Sequence, residues 1–254
     1  MQALTDTWLI FKGQMVKSLR NPAWVIIGLM QPILYFALFG PLLQNVVKMP
    51  GFAPGTTWQQ FFVPALLVQL GLFGAAFVGF GIVAEWREGV IERMRVTPAS
   101  RLSLLLGRVL RDVVTLVVQS LVLLVVGVVF GLRAPVAGVA LAFAFVVLLA
   151  VAMASFSYAL GLVLKSEDSL APFLNSIMLP VLLLSGILLP MTIAPGWLND
   201  LSKINPFRYV VDGMREAFLG HYGTTSVWTG LGVAIAVAVA CVAWGTRVFR
   251  HENA

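Results

Sequence analysis

The sequence has little charge and few of the residues that build metal centres or disulfide frameworks. Asp, Glu, Lys and Arg make up 11% of its 254 residues, whereas 59% are hydrophobic. An average soluble domain carries roughly 25% charged residues. One cysteine (Cys241) and two histidines (His221 and His251) leave no disulfide framework and no clustered metal site. Together with a mean hydropathy of +0.94, this composition excludes a disordered chain, a nucleic-acid-binding domain and an ordinary soluble enzyme.

Catalytic and phosphate-binding motifs are also missing from the sequence. It contains no G-x-x-x-x-G-K-[ST] loop, so we expect no binding of ATP through such a loop. No serine lies in a G-x-S-x-G elbow, and no pair of intramembrane aspartates suggests an aspartyl protease. We therefore predict no catalytic, cofactor-binding or metal-binding residues and no enzymatic activity. Asp112 is the one acidic candidate near the lipid core, which disfavours a proton-coupled carrier.

Long apolar stretches dominate the chain. A bilayer core of about 30 Å needs roughly 20 apolar helical residues for each crossing. Six stretches meet this requirement, and they cover residues 22–43, 61–84, 105–130, 137–164, 171–190 and 226–246. The sequence thus predicts an all-α, polytopic membrane protein, a single domain over residues 1–254 with six transmembrane helices. An even number of spans places both termini on the same side of the lipid bilayer.

The basic residues indicate which side that is. With the N-terminus inside, the inner segments hold twelve Lys and Arg residues and the outer segments hold five. Inner loops of membrane proteins carry the excess of positive charge. We therefore predict that both termini are cytoplasmic. The net charge of +6 then reflects membrane topology, and we expect no nucleic acid partner.

The first segment outside the spans, residues 1–21, has the pattern of an amphipathic helix. Its apolar residues recur at helical spacing and form one stripe: Leu4, Trp8, Phe11, Met15 and Leu19. Lys12, Lys17 and Arg20 lie off that stripe, where they can reach lipid headgroups. We predict an interfacial helix on the inner side of the membrane. It is either a simple surface anchor or a lever between the membrane part and a cytosolic partner.

A charged segment, residues 85–101, connects the second and third spans. Its apolar and acidic residues recur on two different helix faces: Trp86, Val90 and Met94 on one, Glu85, Glu88 and Glu92 on the other. Thr97 and Pro98 are typical of the N-cap and first residue of the next helix. The segment predicts a short cytoplasmic helix joined to two spans. It is either a solvated loop helix or a docking element for a soluble partner.

A second region outside the spans, residues 191–222, is too polar to cross the membrane and too apolar for an ordinary loop. Asn205 and Pro206 are typical of a helix start. The residues after them place an apolar stripe opposite a charged row: Phe207, Val211, Met214 and Phe218 against Arg208, Asp212 and Glu216. We predict short helices on the outer side of the membrane. They form either an interfacial hairpin or a cap over an exit path.

Polar residues inside the spans predict a partly polar interior. Arg108, Asp112, Thr115 and Gln119 share one face of the third span. Polar groups at membrane depth face protein or water rather than lipid. The stripe either forms hydrogen bonds between helices or lines a substrate path. With the isolated polar residues of other spans, the candidate path comprises Gln31, Gln69, Asp112, Thr115, Gln119, Asn175 and Ser185.

Two motifs resemble those of ABC-2 type permeases, the membrane halves of ATP-driven exporters. The segment from residue 85 onward resembles the family's E-R-E-x-G-T-x-E-x-L-x-x-T-P-x-S pattern, matched at Glu85, Arg87, Glu88, Gly89, Glu92, Thr97, Pro98 and Ser100. The segment before the last span resembles its N-P-x-x-Y-x-x-x-x-x-R pattern, matched at Asn205, Pro206, Tyr209 and Arg215. Trp86 and Val90 depart from the first pattern. The resemblance covers essentially the whole chain and is nearest to the daunorubicin-resistance type.

The resemblance implies a function, partners and a location. It implies a permease of the bacterial cytoplasmic membrane that exports amphipathic drug-like or lipid-like compounds. The expected partners are two copies of a cytoplasmic ABC ATPase, which would bind ATP and Mg²⁺, and a second permease, either identical or related. The residues expected to contact the ATPase are Glu85, Trp86, Arg87, Glu88, Gly89, Glu92, Arg93, Met94, Thr97 and Pro98. Export of a polysaccharide or lipid-linked glycan and a non-transporting membrane scaffold are the alternatives.

Overall fold

The computed structural model describes residues 2–20, 23–47, 56–90 and 100–251. Within these ranges the chain is helical and contains no β-strand. The helices, in chain order, are α1 (Gln2–Arg20), α2 (Ala23–Val46), α3 (Trp58–Ala76), α4 (Gly79–Arg87), α5 (Arg101–Val129), α6 (Val136–Leu164), α7 (Glu167–Leu184), α8 (Gly196–Ser202), α9 (Pro206–Leu219) and α10 (Thr225–His251), with a 3₁₀ turn at Met191–Ile193.

Six segments of the described chain are long and apolar enough to cross a membrane, which confirms the predicted number. They are Ile26–Val46, Trp58–Arg87, Leu102–Val129, Val136–Leu164, Glu167–Leu184 and Thr225–Phe249. The chain is therefore an all-helical, multi-pass membrane protein. The amphipathic helix predicted for residues 1–21 is present as α1, and its position at the membrane surface stays a prediction.

Helix α6 lies at the centre of the bundle. It packs against α3, α5, α9 and α10, and its large side chains Phe145 and Tyr158 are buried. Glycines allow the closest approaches: a Cβ at Gly71 of α3 would lie 3.0 Å from Leu149 of α6. A Cβ at Gly213 of α9 would lie 2.8 Å from the carbonyl oxygen of Ser226 in α10. Small residues at such crossings let backbones approach within the membrane.

The second span is interrupted, although the sequence predicts one continuous helix over residues 61–84. Helix α3 ends at Ala76 and α4 begins at Gly79. Ser157 of α6 bridges the interruption, because its hydroxyl accepts a hydrogen bond from the Gly79 amide at 2.8 Å and donates to the Ala76 carbonyl. Non-helical backbone at membrane depth is tolerated where it is buried in protein or lines a cavity. Both conditions hold at this position.

Replacing Ser157 by alanine is expected to lower the free energy of unfolding by about 1–3 kcal/mol, because the amide of Gly79 would lose its buried acceptor. Ser176→Ala is the matched control, since the Ser176 hydroxyl is exposed and bonds to Pro172 of its own helix. Thermal unfolding in detergent measures both variants. Equal, small losses for the two would show that Ser157 does not hold the interruption together.

Some boundaries differ from those predicted. The fifth span ends at Leu184 rather than 190, because Gly186 adopts a positive φ of 77° and turns the chain. Helix α5 begins at Arg101, and Ser100 is its N-cap through a hydrogen bond from the Ser103 amide at 3.1 Å. The sequence predicts this cap three residues earlier, at Thr97, which lies outside the described residues. Arg101 thus belongs to the third span's helix rather than to the charged connection.

Candidate functional site

One end of the bundle gathers the segments that the sequence assigns to the cytoplasm. Helix α1 packs along the first half of α5, where Gly107 gives it room. Arg87 at the end of α4 forms an ion pair of 3.4 Å with Glu167 at the start of α7. The ammonium of Lys165 lies 5.6 Å from the centre of the Trp86 ring. The predicted inner segments therefore lie together.

Glu85 is the centre of a charged cluster that joins three helices. Its carboxylate lies 2.5 Å from the guanidinium of Arg108 in α5 and 3.6 Å from the ammonium of Lys17 in α1. Gln14 of α1 donates a hydrogen bond to it at 3.3 Å. The side chains of Arg108 and Glu85 are only 3% and 16% exposed. These four residues, which we call the Glu85 cluster, fix α1, α4 and α5 to one another.

The predicted ATPase-contacting segment starts within this cluster, and α4 ends three residues into it. Glu88 follows α4 as an exposed residue, and Gly89 has a positive φ of 69° that ends the helix. Left-handed backbone favours glycine because it lacks a Cβ. The charged segment is therefore separated from α4 by a turn. The other predicted contact residues, Glu92, Arg93, Met94, Thr97 and Pro98, lie outside the described residues.

A cavity of about 410 Å³ lies between α2, α3, α4 and α5. Five of the seven residues predicted as a polar path line it, namely Gln31, Gln69, Asp112, Thr115 and Gln119. The last three come from α5, where their spacing places them on one face. The interruption between α3 and α4 also borders the cavity. Five of the predicted path residues thus line one cavity.

Asp112 takes part in a buried polar network at the edge of the cavity. Tyr158 of α6 donates a hydrogen bond of 2.5 Å to its carboxylate, and Arg111 forms an ion pair with it at 3.0 Å. Arg111 also donates to the Tyr158 hydroxyl at 3.1 Å. Sequence reasoning missed Arg111 and Tyr158 as partners. The available signal was a tyrosine next to two serines in a mostly apolar span.

The two other predicted path residues lie elsewhere. Asn175 is exposed on α7. Ser185 is buried at the end of α7, where its hydroxyl donates to the Leu182 carbonyl at 2.7 Å. This local hydrogen bond explains why a serine stands at the position where α7 ends. The structure does not bring either residue into the cavity.

Arg215 of the second motif is a buried cation at the opposite end of the bundle. Its guanidinium donates hydrogen bonds to the carbonyls of Gly186 at 2.8 Å and Ile187 and Phe61 at 3.3 Å. It also lies 3.8 Å from the centre of the Phe61 ring. Burial lowers the pKa of Arg215 to about 10, so it remains protonated at neutral pH. Arg215 therefore ties α9 to the start of α3 and to the turn after α7.

Asn205 and Pro206 begin α9, as predicted. The Asn205 side chain accepts a hydrogen bond from the Phe207 amide at 3.0 Å and donates one to the Val181 carbonyl at 2.8 Å. Tyr209 donates from its hydroxyl to the Lys203 carbonyl at 3.0 Å. Each of these bonds satisfies a backbone group at a helix end or turn. The second motif therefore joins α9 and the end of α8 to α7.

Comparison with known proteins places this arrangement in context. A family profile described as ABC-2 type transporter matches residues 5–219. The daunorubicin resistance ABC transporter permease protein DrrB1 of Streptomyces coeruleorubidus is 25% identical over 92% of this chain and 82% of its own length. YbhR of Escherichia coli, described as a multidrug ABC transporter permease, is 22% identical over 84% of this chain and 58% of its own. The transport permease ycf38 of Cyanophora paradoxa is 28% identical over 84% of this chain and 73% of its own.

Proposed function

The chain belongs to the ABC-2 type transporter family, and on that basis we propose that this membrane permease subunit exports amphipathic, drug-like or lipid-like compounds. Relatives named for daunorubicin resistance and multidrug transport support this substrate class. ABC permeases work with an ATPase subunit. We propose that this ATPase supplies all ATP hydrolysis and that the permease has no catalytic activity of its own.

The assembly that we propose contains two copies of the ATPase and two permeases, which are either identical or related chains. Its place is the bacterial cytoplasmic membrane, with both permease termini in the cytoplasm. The gathering of Lys17, Arg87, Arg108 and Lys165 at one end of the bundle supports this orientation, because positive charge is concentrated on the cytoplasmic side.

The Glu85 cluster is the observation that carries the proposal of ATPase coupling. It holds the inner ends of α1, α4 and α5 as one unit, and the exposed Glu88 follows it directly. A displacement applied to the segment after Glu88 would pass into α4 and α5 through fixed helix ends rather than through a flexible loop. We therefore propose that the segment after α4 receives the motion of a soluble partner.

Reversing the charge at Glu88 and Glu92 is expected to abolish transport-coupled ATPase activity, because acidic groups there would pair with basic residues of the ATPase. The permease itself should stay folded, since Glu88 is exposed. Substrate-stimulated ATP hydrolysis, measured on the reconstituted complex, reports whether transport and ATP hydrolysis are still coupled in the double variant Glu88→Lys/Glu92→Lys. Asp168→Lys is the matched control, an exposed acid in α7 near the same end. Unchanged coupling in the double variant would refute this role.

A further inference from the structure

The cavity between α2, α3, α4 and α5 has an open side and a closed interior. Three residues that line it are exposed, Ile27 and Gln31 of α2 and Gly81 of α4. Gln69 and Asp112 also line it, but they are 1% and 3% exposed. The exposed residues mark an opening between the first half of α2 and α4. From this opening the cavity extends inward to the buried amide and carboxylate.

The opposite half of α2 is closed against its neighbours by aromatic packing. The rings of Phe36 and Trp58 have centres 5.0 Å apart, and those of Phe36 and Phe130 are 5.4 Å apart. Gly40 lets Trp58 lie directly on the backbone of α2, because a Cβ there would be 2.6 Å from that ring. The cavity therefore opens in the half of the bundle that contains the Glu85 cluster and is closed toward the other half.

The amide of Gln69 is a buried polar group on the wall of the cavity. Neither its oxygen nor its nitrogen hydrogen-bonds to any residue in the described part of the chain, although both atoms are fully buried. Buried polar groups in folded proteins nearly always have a partner, and each exception requires an explanation. A bound molecule with a hydrogen-bonding group would supply the missing partner.

The lining determines the chemistry of that molecule. Arg111 and Asp112 neutralise each other, so the described residues of the wall present no uncompensated charge. Phe73, Phe77 and Phe80 line the apolar side, with the last two rings stacked at 6.1 Å. Pockets for single small molecules measure about 300–1,000 Å³, are mostly apolar and have a few polar groups that fix orientation. This cavity has those proportions.

We infer that the cavity within a single permease chain binds a neutral, flat aromatic compound, with a carbonyl or hydroxyl group directed at Gln69. The compound reaches the cavity sideways, from the inner leaflet, through the opening between α2 and α4. This inference deepens the proposed function and rests on it, because the inner leaflet is assigned from the proposed orientation and the site is taken as the one that receives the exported compound.

A neutral photoreactive probe tests the site directly. Benzophenone carrying an alkyne handle has two rings, a carbonyl and no charge, and ultraviolet light attaches it to neighbouring residues. With the full complex in membrane vesicles, we expect saturable labelling in peptides that contain residues 69–81 and 112–119. A benzophenone carrying a trimethylammonium group should not label these peptides, because Asp112, the acid among the described lining residues, is already paired with Arg111. Labelling confined to lipid-facing peptides of α10 would overturn the inference.

Closing the opening should prevent labelling. A Cβ at Gly81 would meet nothing within 4 Å, so we expect Gly81→Phe to be tolerated by the fold and to fill the opening. Gly232 of α10 is a matched control, because it is also exposed and has the same free space. We expect Gly81→Phe to reduce saturable labelling roughly tenfold or more and Gly232→Phe to leave it unchanged. Equal labelling in both variants would overturn the proposed opening.

Replacing Gln69 by leucine separates a ligand-binding role from a structural one. The variant should raise the Tm of the unliganded protein by about 2–4 °C, because a buried amide without a partner is removed. It should also weaken probe binding roughly tenfold, through the loss of one hydrogen bond. A lower Tm would show that Gln69 supports the fold, and unchanged probe binding would show that it does not hold the ligand.

The same probe distinguishes a failure of this inference from a failure of the proposed function. Glu88→Lys/Glu92→Lys should lose coupled ATP hydrolysis yet keep saturable labelling, because Glu88 is exposed and does not line the cavity. Absent labelling in a complex with intact coupling would overturn the cavity alone. Saturable labelling of an unaltered chain that never associates with an ATPase would support a binding site but overturn its role in export.

Discussion

Replacement of Glu85 by leucine is expected to lower the free energy of unfolding by about 3–5 kcal/mol. The carboxylate balances Arg108, whose side chain is 3% exposed, and receives a hydrogen bond from Gln14. Removing it would leave a buried cation without its carboxylate. A buried charge that loses its partner costs far more than the intact pair contributes, because water cannot replace the lost interaction.

Two further variants make this prediction specific. Glu85→Leu combined with Arg108→Met removes both charges, so we expect it to recover more than half of the lost stability. Glu167→Leu removes an acid from an exposed pair at the same end, whose side chains are 50% and 40% exposed. Glu167→Leu should lower the free energy of unfolding by no more than about 1 kcal/mol. Thermal and denaturant unfolding in detergent give the comparison. If Glu85→Leu and Glu167→Leu cost the same, the cluster does not stabilise the inner end.

Replacement of Arg215 by methionine is expected to lower the free energy of unfolding by about 2–4 kcal/mol. The guanidinium satisfies carbonyls of Phe61, Gly186 and Ile187 and stacks on the Phe61 ring. Each buried acceptor left without a donor costs about 1–3 kcal/mol. Arg215→Lys should recover little of the lost stability. An ammonium lacks the planar arrangement of N–H donors by which a guanidinium reaches several acceptors at once.

Arg133→Met provides the control for Arg215, since Arg133 is an exposed cation at the same end of the bundle. Its effect should fall within about 0.5 kcal/mol. Hydrogen exchange adds a local measurement, because the amides of the turn after α7 should lose protection when Arg215 is replaced. Unchanged exchange around Gly186, together with full stability, would show that Arg215 does not fix this turn.

Features that depend on local chain chemistry were predictable from the sequence. The six spans follow from the length of apolar runs. The start of α9 follows from an asparagine N-cap before a proline at the first helical position. The polar face of α5 follows from the spacing of Asp112, Thr115 and Gln119, and that face does line a cavity.

Features that depend on contacts between distant segments were not predictable. The interruption between α3 and α4 lies in a uniformly apolar stretch, and it is compensated by Ser157, which is remote in sequence. Glu85 lies in a charged segment that is typical of an exposed helix, but Arg108 and Lys17 bury it from two other helices. Asn175 and Ser185 are polar residues in an apolar span, and only packing decides that neither reaches the cavity.

The most direct test of the central claim, that this permease is driven by a separate ATPase, is gentle purification of the tagged chain from its native membrane with ATP present. We expect a soluble ATPase subunit to copurify in roughly equal amount and to be lost when Glu88 and Glu92 are changed to lysine. A preparation without any nucleotide-binding partner, repeated with a crosslinker, would contradict the claim and favour a membrane scaffold.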